Sequence, residues 1–422
     1  MINRRHFLGA TAAGTAGLAL PFRTAHATVN AADRKFIFVF NSGGWDPTRV
    51  FATEFDNSNV DMEADAQRGS AGGIEFVDHP SRPSVRAFME QNHDRMLVIN
   101  GLQVRSIAHE ICTMIALTGN TSGLAPDWAT ILAAGGDTAL TLPHLVLGGP
   151  SFTGPLGTTS ARTGAAGQLE GLLSGDLIEA SDQAVGRLPQ PYTDRIDRFL
   201  QRRSGAELGS ARGSVKRALT GAYDDALAKA LGLKDYRWVM DFSGGAGLAD
   251  QAQVAADALT LGLSRCVSIG YPGAGAGLGW DSHAQNDDTQ SALFEGLFNG
   301  LGQLVEVLRT TPGDTTATLA EETVVVVLSE MGRTPMLNAT AGKDHWPYTS
   351  MMILGDGITG DRVVGGFDDG YAGLSVDPGS AELSSSGPVL SVESIGAALL
   401  QLGGEDPGQW LNGFTPLGGV LT

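Results

Sequence analysis

Cysteine is nearly absent: the 422 residues contain two, Cys112 and Cys266. A lone pair in so long a chain is no disulfide framework, although an oxidising compartment permits one bridge. Both lie in apolar stretches, which fits buried, inert thiols. Positive charge is scarce too, with 28 Lys+Arg against 46 Asp+Glu and a formal net charge of −18. A surface this acidic repels phosphate backbones and anionic lipid, so no nucleic-acid partner is expected. No apolar run reaches the roughly 20 residues that cross a bilayer, so no stable membrane span is expected either. Familiar hydrolase and nucleotide signatures are also missing. There is no Gly-x-x-x-x-Gly-Lys-Ser/Thr loop and no Gly-x-Ser-x-Gly elbow, and His109-Glu110 fails as a zinc-protease motif because Thr113 stands where the second histidine belongs.

The amino terminus is more informative. Arg4-Arg5 precedes His6-Phe7-Leu8, then an uncharged stretch of small and apolar residues from Gly9 to Leu20, and Ala25-His26-Ala27 supplies small residues beside a cleavage site. Residues 1–27 therefore read as a twin-arginine signal peptide, which makes the twin-arginine translocase a partner during export and the destination periplasmic or secreted. These residues carry three arginines and no carboxylate, so the remainder has 25 Lys+Arg against 46 Asp+Glu, or −21. The bland explanation of that charge is solubility; the sharper one is carboxylates gathered around cations.

Short continuous apolar runs at 36–40, 96–100, 144–147, 265–270, 323–328 and 351–354 suit strands buried on both faces. Helical spacing recurs at 84–91, 127–134, 192–203, 214–231, 248–263, 289–309 and 391–402. A further helix runs from Ser106, a candidate N-cap, to Gly119. The stretch from about 150 to 190 is rich in Gly, Ser and Thr. Strands alternating with helices predict an α/β fold with a mostly parallel, doubly covered sheet. Residues 28–422 are expected to form a single domain with a mostly helical and loop insertion at about 150–248.

In such sheets functional groups collect beyond the carboxyl ends of strands. Asp46 follows the first strand across Gly43-Gly44, Asp281 and His283 follow the 265–270 strand, and Glu330 follows the 323–328 strand, with Asp344-His345 further on. All six are of metal-ligand type. Mixed oxygen and imidazole donors suit zinc, manganese or magnesium, and the histidines favour the transition metals. Each has an ordinary alternative: Asp46 as a turn or cap residue, Glu330 as a partner of Arg333. His79 and His93 read as solvated surface residues, and His144 as structural.

Taken in order, the twin-arginine leader, Gly43-Gly-Trp-Asp46, His109-Glu110, Trp280-Asp-Ser-His283, Ser329-Glu-Met-Gly-Arg-Thr-Pro335 and Gly342-Lys-Asp-His345 resemble the bacterial family called domain of unknown function 1501. That family is placed in the alkaline phosphatase and sulfatase superfamily. The resemblance covers nearly the whole chain. It implies a one- or two-metal site drawing on Asp46, Asp281, His283, Glu330, Asp344 and His345. It also implies a hydroxyl or modified cysteine nucleophile at a helix start, for which Ser106 and Thr113 are the nearby hydroxyls, with His109 beside them and Arg333 to bind the anionic group. The sequence departs from the pattern at Ala108, where family members often carry serine, and it has no Cys-x-Pro-x-Arg sulfatase signature. Two functions stay open: a metal-dependent hydrolase of phosphate or sulfate esters acting on an anionic small molecule, and a non-catalytic, metal-stabilised periplasmic scaffold or assembly factor.

Overall fold

The computed structural model describes residues 29–137, 139–164, 190–233, 236, 247–273 and 279–422; the signal segment and residues 165–189 of the expected insertion lie outside them. The first apolar run forms β1 (Lys35–Phe40), buried along its whole length. Chain order then gives a hairpin of β2 (Gln67–Ala71) and β3 (Ile74–Asp78), α1 (Pro83–Asn92), β4 (Met96–Gln103), α2 (His109–Thr118), α3 (Trp128–Ala134), β5 (His144–Val146) and β6 (Ser160–Arg162). Helices α4 (Gln190–Ser210) and α5 (Ser214–Leu233) pack on one another. They are followed by α6 (Leu248–Thr260), β7 (Cys266–Gly270), α7 (Asn286–Thr310), β8 (Thr323–Leu328), β9 (Gly332–Arg333), β10 (His345–Trp346), β11 (Tyr348–Gly355), β12 (Arg362–Gly365) and α8 (Val392–Leu402).

Eight strands form one sheet in the order β12-β4-β11-β8-β1-β7-β5-β6. β1 lies at its centre, parallel to both β7 and β8, with Phe36 opposite Cys266 on one side and Val324 on the other. β11 runs against both of its neighbours, β8 and β4, while the other pairings of this sheet are parallel. Alternation along β1 divides the core into two layers. Phe36, Phe38 and Phe40 pack with α2, α3 and α8, whereas Ile37 and Val39 pack with α1, α6 and α7. The sheet is thus covered on both faces, and its continuous apolar strands need no polar side.

Capping chemistry sets several helix starts. Asp127 accepts the Thr130 N–H at 2.7 Å ahead of α3, and Ser391 accepts the Ser394 N–H at 3.4 Å ahead of α8. Ser106, expected to cap α2, does not. The N-cap position is Ala108, and Ser106 Oγ accepts the Ala108 N–H at 3.2 Å in a turn before the helix. The reason lies one residue earlier: Arg105 adopts a left-handed conformation (φ 60°) that bends the chain and delays the helix. Both cysteines are free and buried, and burial pushes the Cys112 thiol up to about 11 and that of Cys266 up to about 12, which leaves both unreactive.

Candidate metal centre

The carboxyl ends of β4, β7 and β8 deliver side chains to one place. His109 is the first residue of α2, after β4; Asp281 and His283 lie in the segment between β7 and α7; Glu330 follows β8; His345 opens β10. β10 pairs with β9 so that His345 stands opposite Arg333. Two glycines allow the segments to meet. A Cβ on Gly342 would come within 2.0 Å of the His283 carbonyl, and one on Gly43, whose φ is +125°, within 2.8 Å of the Asp281 nitrogen.

Three residues form the heart of the cluster: His109, Asp281 and His345 each offer a ligand atom within 4.8 Å of the others. His283 adjoins them, with its Nε2 at 3.0 Å from both Asp281 Oδ1 and His345 Nε2. His345 Nε2 is 3.2 Å from Asp281 Oδ1, and His109 Nε2 is 3.5 Å from Asp281 Oδ2. Each ring is held from behind. His109 Nδ1 donates to Glu330 Oε1 at 2.7 Å, His283 Nδ1 to Asp344 Oδ1 at 2.9 Å, and His345 Nδ1 to the Ile107 carbonyl at 2.7 Å. The bond to Glu330 raises the His109 pKa against the opposing effect of burial. The bond from His283 lowers that of Asp344. For Asp281, burial works upward, but the hydrogen bond and charge of Arg333 outweigh it and hold the carboxyl low.

These outer bonds fix the tautomers. A carbonyl and carboxylate oxygens accept, so each Nδ1 carries a hydrogen, and in the neutral form of each ring the Nε2 lone pair turns inward. The Nε2 atoms of His283 and His345 and Asp281 Oδ1 then lie 3.0–3.2 Å from one another, while His109 Nε2, 3.5 Å from Asp281 Oδ2, is buried without a hydrogen bond. Such an arrangement needs a cation or an added proton at its centre. The spacing is near that of a metal site: bonds of about 2.0–2.2 Å in a tetrahedron place neighbouring ligand atoms roughly 3.3–3.6 Å apart. A second carboxylate or carbonyl behind each imidazole is the usual support of metal-ligating histidine.

The structure sorts the sequence candidates. Asp281, His283 and His345 converge, and His109, expected as a catalytic group, stands among them as a fourth donor. Glu330 and Asp344, expected as ligands, sit one layer out and orient His109 and His283. Both Glu330 oxygens are already engaged, by the Gly43 N–H at 2.8 Å, His109, and Ser329 Oγ at 3.1 Å. Asp46 belongs to a separate, fully buried pair with Lys343, whose Nζ is 2.9 Å from its Oδ2. Burial works to raise the Asp46 pKa, but Lys343 and Arg49 outweigh that and hold it well below the carboxylate range. Arg333 is fully buried, and it donates to the carbonyls of Gly43, Gly44 and Lys343 and to Asp281 at 2.6 Å, so it is a clamp between loops rather than a receptor for an anion. Ser106 makes no hydrogen bond to the cluster. Sequence reasoning missed Lys343, and missed Gln290, whose side chain ties the Asp46 N–H at 2.9 Å to the Trp280 carbonyl at 2.8 Å. The signal for Lys343 was its place in Gly342-Lys-Asp-His345; for Gln290, one polar residue in a long helix, there was none.

A family model described as "Protein of unknown function (DUF1501)" matches residues 33–379, and one described as the twin-arginine translocation pathway signal sequence matches residues 1–21. The leader directs export through the twin-arginine pathway, to the periplasm or beyond. No helix among the described residues is long and apolar enough to cross a membrane. No curated protein matches the chain. Among solved structures it is similar to Ps i-CgsB in complex with k-i-k-neocarrahexaose (10% identity, TM-score 0.40, covering 90% of this chain and 75% of that one). It is also similar to the lipoteichoic acid synthase LtaP from Listeria monocytogenes (9%, 0.38, 92% and 74%) and to the C-terminal periplasmic domain of EcEptC from Escherichia coli (8%, 0.38, 91% and 86%).

Proposed function

The chain belongs to the DUF1501 family of unknown function, and from the geometry of its cluster we propose that it is an exported, metal-dependent hydrolase of phosphate or sulfate esters. The observation that carries this reading is the gathering of three oriented imidazoles around the Asp281 carboxylate, at 3.0, 3.2 and 3.5 Å. Three imidazole donors favour a transition metal, zinc above all, over magnesium. A divalent ion held there supplies Lewis acidity toward an ester oxygen. The protein's own part is orientation and access. Glu330, Asp344 and the Ile107 carbonyl aim the rings, while Arg333 aims the Asp281 carboxylate. The side chains of Asp281 and His283 are 46% and 47% exposed, so a substrate reaches them from solvent. No hydroxyl or thiol among the described residues hydrogen-bonds to the three rings or to the Asp281 carboxylate, so the reading takes water as the attacking group.

That same lack of a side-chain nucleophile favours the second reading, a metal-stabilised scaffold with no turnover. One experiment separates them. Exported protein is assayed for bound metal and for hydrolysis of aryl phosphate and aryl sulfate esters, with and without chelator and in the His345→Ala variant. Metal-dependent turnover lost in the variant supports the hydrolase. Stoichiometric metal without turnover on either ester supports the scaffold, and protein without metal ends both.

A further inference from the structure

The surroundings of Asp46 do not fit the metal that the family resemblance would place there. Its carboxylate is fully buried and both oxygens are saturated. Oδ1 accepts from the Thr48 N–H at 3.0 Å and the Thr48 hydroxyl at 2.7 Å, and Oδ2 accepts from Asn286 Nδ2 at 2.8 Å. Lys343 Nζ lies 2.9 Å from Oδ2 and 2.9 Å from Thr48 Oγ1, and Arg49 Nε is 3.3 Å from Oδ2. Arg49 also pairs with Asp287 at 2.9 Å. Two carboxylates thus meet two cations. Asp46, Lys343 and Arg49 are fully buried, and Asp287, its side chain 36% exposed, completes the balance at the rim. A divalent ion added beside Asp46 would put two uncompensated positive charges in a closed, low-dielectric space already holding an ammonium at contact distance.

We propose that Lys343 is a built-in cation occupying the place of a second metal ion, so that the chain holds one metal, at the histidine cluster. The inference rests on reading that cluster as a metal centre and adds its stoichiometry. It also explains why the ammonium sits in this loop. The Lys343 N–H donates to the Ser282 carbonyl at 3.1 Å and its carbonyl accepts from Arg333 Nη1 at 3.1 Å, so anchoring Nζ at the end of β1 fixes the backbone leading into Asp344 and His345. One segment therefore supplies an ammonium to Asp46 and an imidazole to the neighbouring centre.

The test is a metal-to-protein ratio by elemental analysis, together with manganese titration calorimetry, on wild type, Asp46→Asn, Lys343→Ala and the charge-neutral Asp46→Asn/Lys343→Met double variant. Wild type and Asp46→Asn are expected to hold one ion per chain, because Asp46 ligates nothing. Lys343→Ala leaves Asp46, Thr48 and Asp287 as an oxygen-rich cradle of the kind manganese prefers, and should take a second ion. The double variant has neither the ammonium nor the carboxylate and should hold one; it covers the case in which Lys343→Ala fails to fold. Two ions in wild type, loss of metal from Asp46→Asn, or a folded Lys343→Ala chain that takes no second ion would each overturn the inference. A wild-type chain with no metal overturns instead the reading of the cluster.

Discussion

Glu330→Gln separates a ligand from a residue that aims one. The carboxylate is fully buried, and its three partners are the Gly43 N–H, His109 Nδ1 and Ser329 Oγ. Glutamine keeps the shape, and its amide oxygen can still accept from Gly43 and His109. Its NH2 group then faces Ser329 Oγ, whose one hydrogen, shared in the wild type between Glu330 Oε2 and the Asn41 carbonyl, turns wholly to Asn41; Oγ also accepts the Trp45 N–H and keeps a lone pair for the amide. The fold therefore loses little, about 1 kcal/mol for a weakened hydrogen-bond set. What disappears is a negative charge 2.7 Å behind His109. Removing such a supporting carboxylate lowers metal affinity by about 10–100-fold, or roughly 1.4–2.8 kcal/mol. The assay is zinc titration into metal-free protein in competition with a chelator, with His345→Ala as the ligand-loss reference. Glu330→Gln should fall between wild type and that reference. In the metal-free protein the His109 pKa should also move down, because the Glu330 bond is the main cause of its upward shift. Zinc affinity equal to wild type would refute the positioning role, and a loss as large as that of His345→Ala would make Glu330 a ligand.

Gly342→Ala should cost both stability and metal, since its Cβ would overlap the His283 backbone at 2.0 Å; a variant with wild-type metal content would show that the two loops are not held as described. His79→Ala and His93→Ala should leave metal content unchanged while His283→Ala lowers it, as read by elemental analysis. Trp45→Ala removes a fully buried indole packed on Phe51 and Phe294 and hydrogen-bonded to Thr349, and should destabilise by about 3–5 kcal/mol in denaturant unfolding. Glu322 is held low, to about 2: burial works against this, but Lys35 and backbone N–H groups outweigh it. Its contribution to stability is thus present above pH 4.5 and lost as pH falls toward 2, and Glu322→Gln should flatten the acid limb of a stability–pH profile across that window.

The central strands were legible because a strand covered on both faces must be apolar throughout, as 36–40 and 323–328 are. The β2–β3 hairpin was not, since Gln67–Ala71 shows no apolar alternation and its order comes from pairing with Ile74–Asp78. At the site, position along the chain was readable and partnership was not. Asp281, His283 and His345 could be named from their place after strands, but the carboxylate behind His109 lies 221 residues away and the ammonium on Asp46 lies 295 residues from Thr48, its other acceptor. No residue along α2 completes a motif with His109, whose companions come from the segments after other strands.

The distance in sequence between His109, Asp281 and His345 bears on where the proposed metal would be acquired. An unfolded chain has these donors scattered along separate segments and presents no site, so an ion finds the cluster only once the sheet is complete. The leader sends the chain along the twin-arginine route, which moves proteins already folded. The ion at the cluster would then be chosen by what is free in the cytoplasm, and the composition of the medium outside would decide only whether it stays.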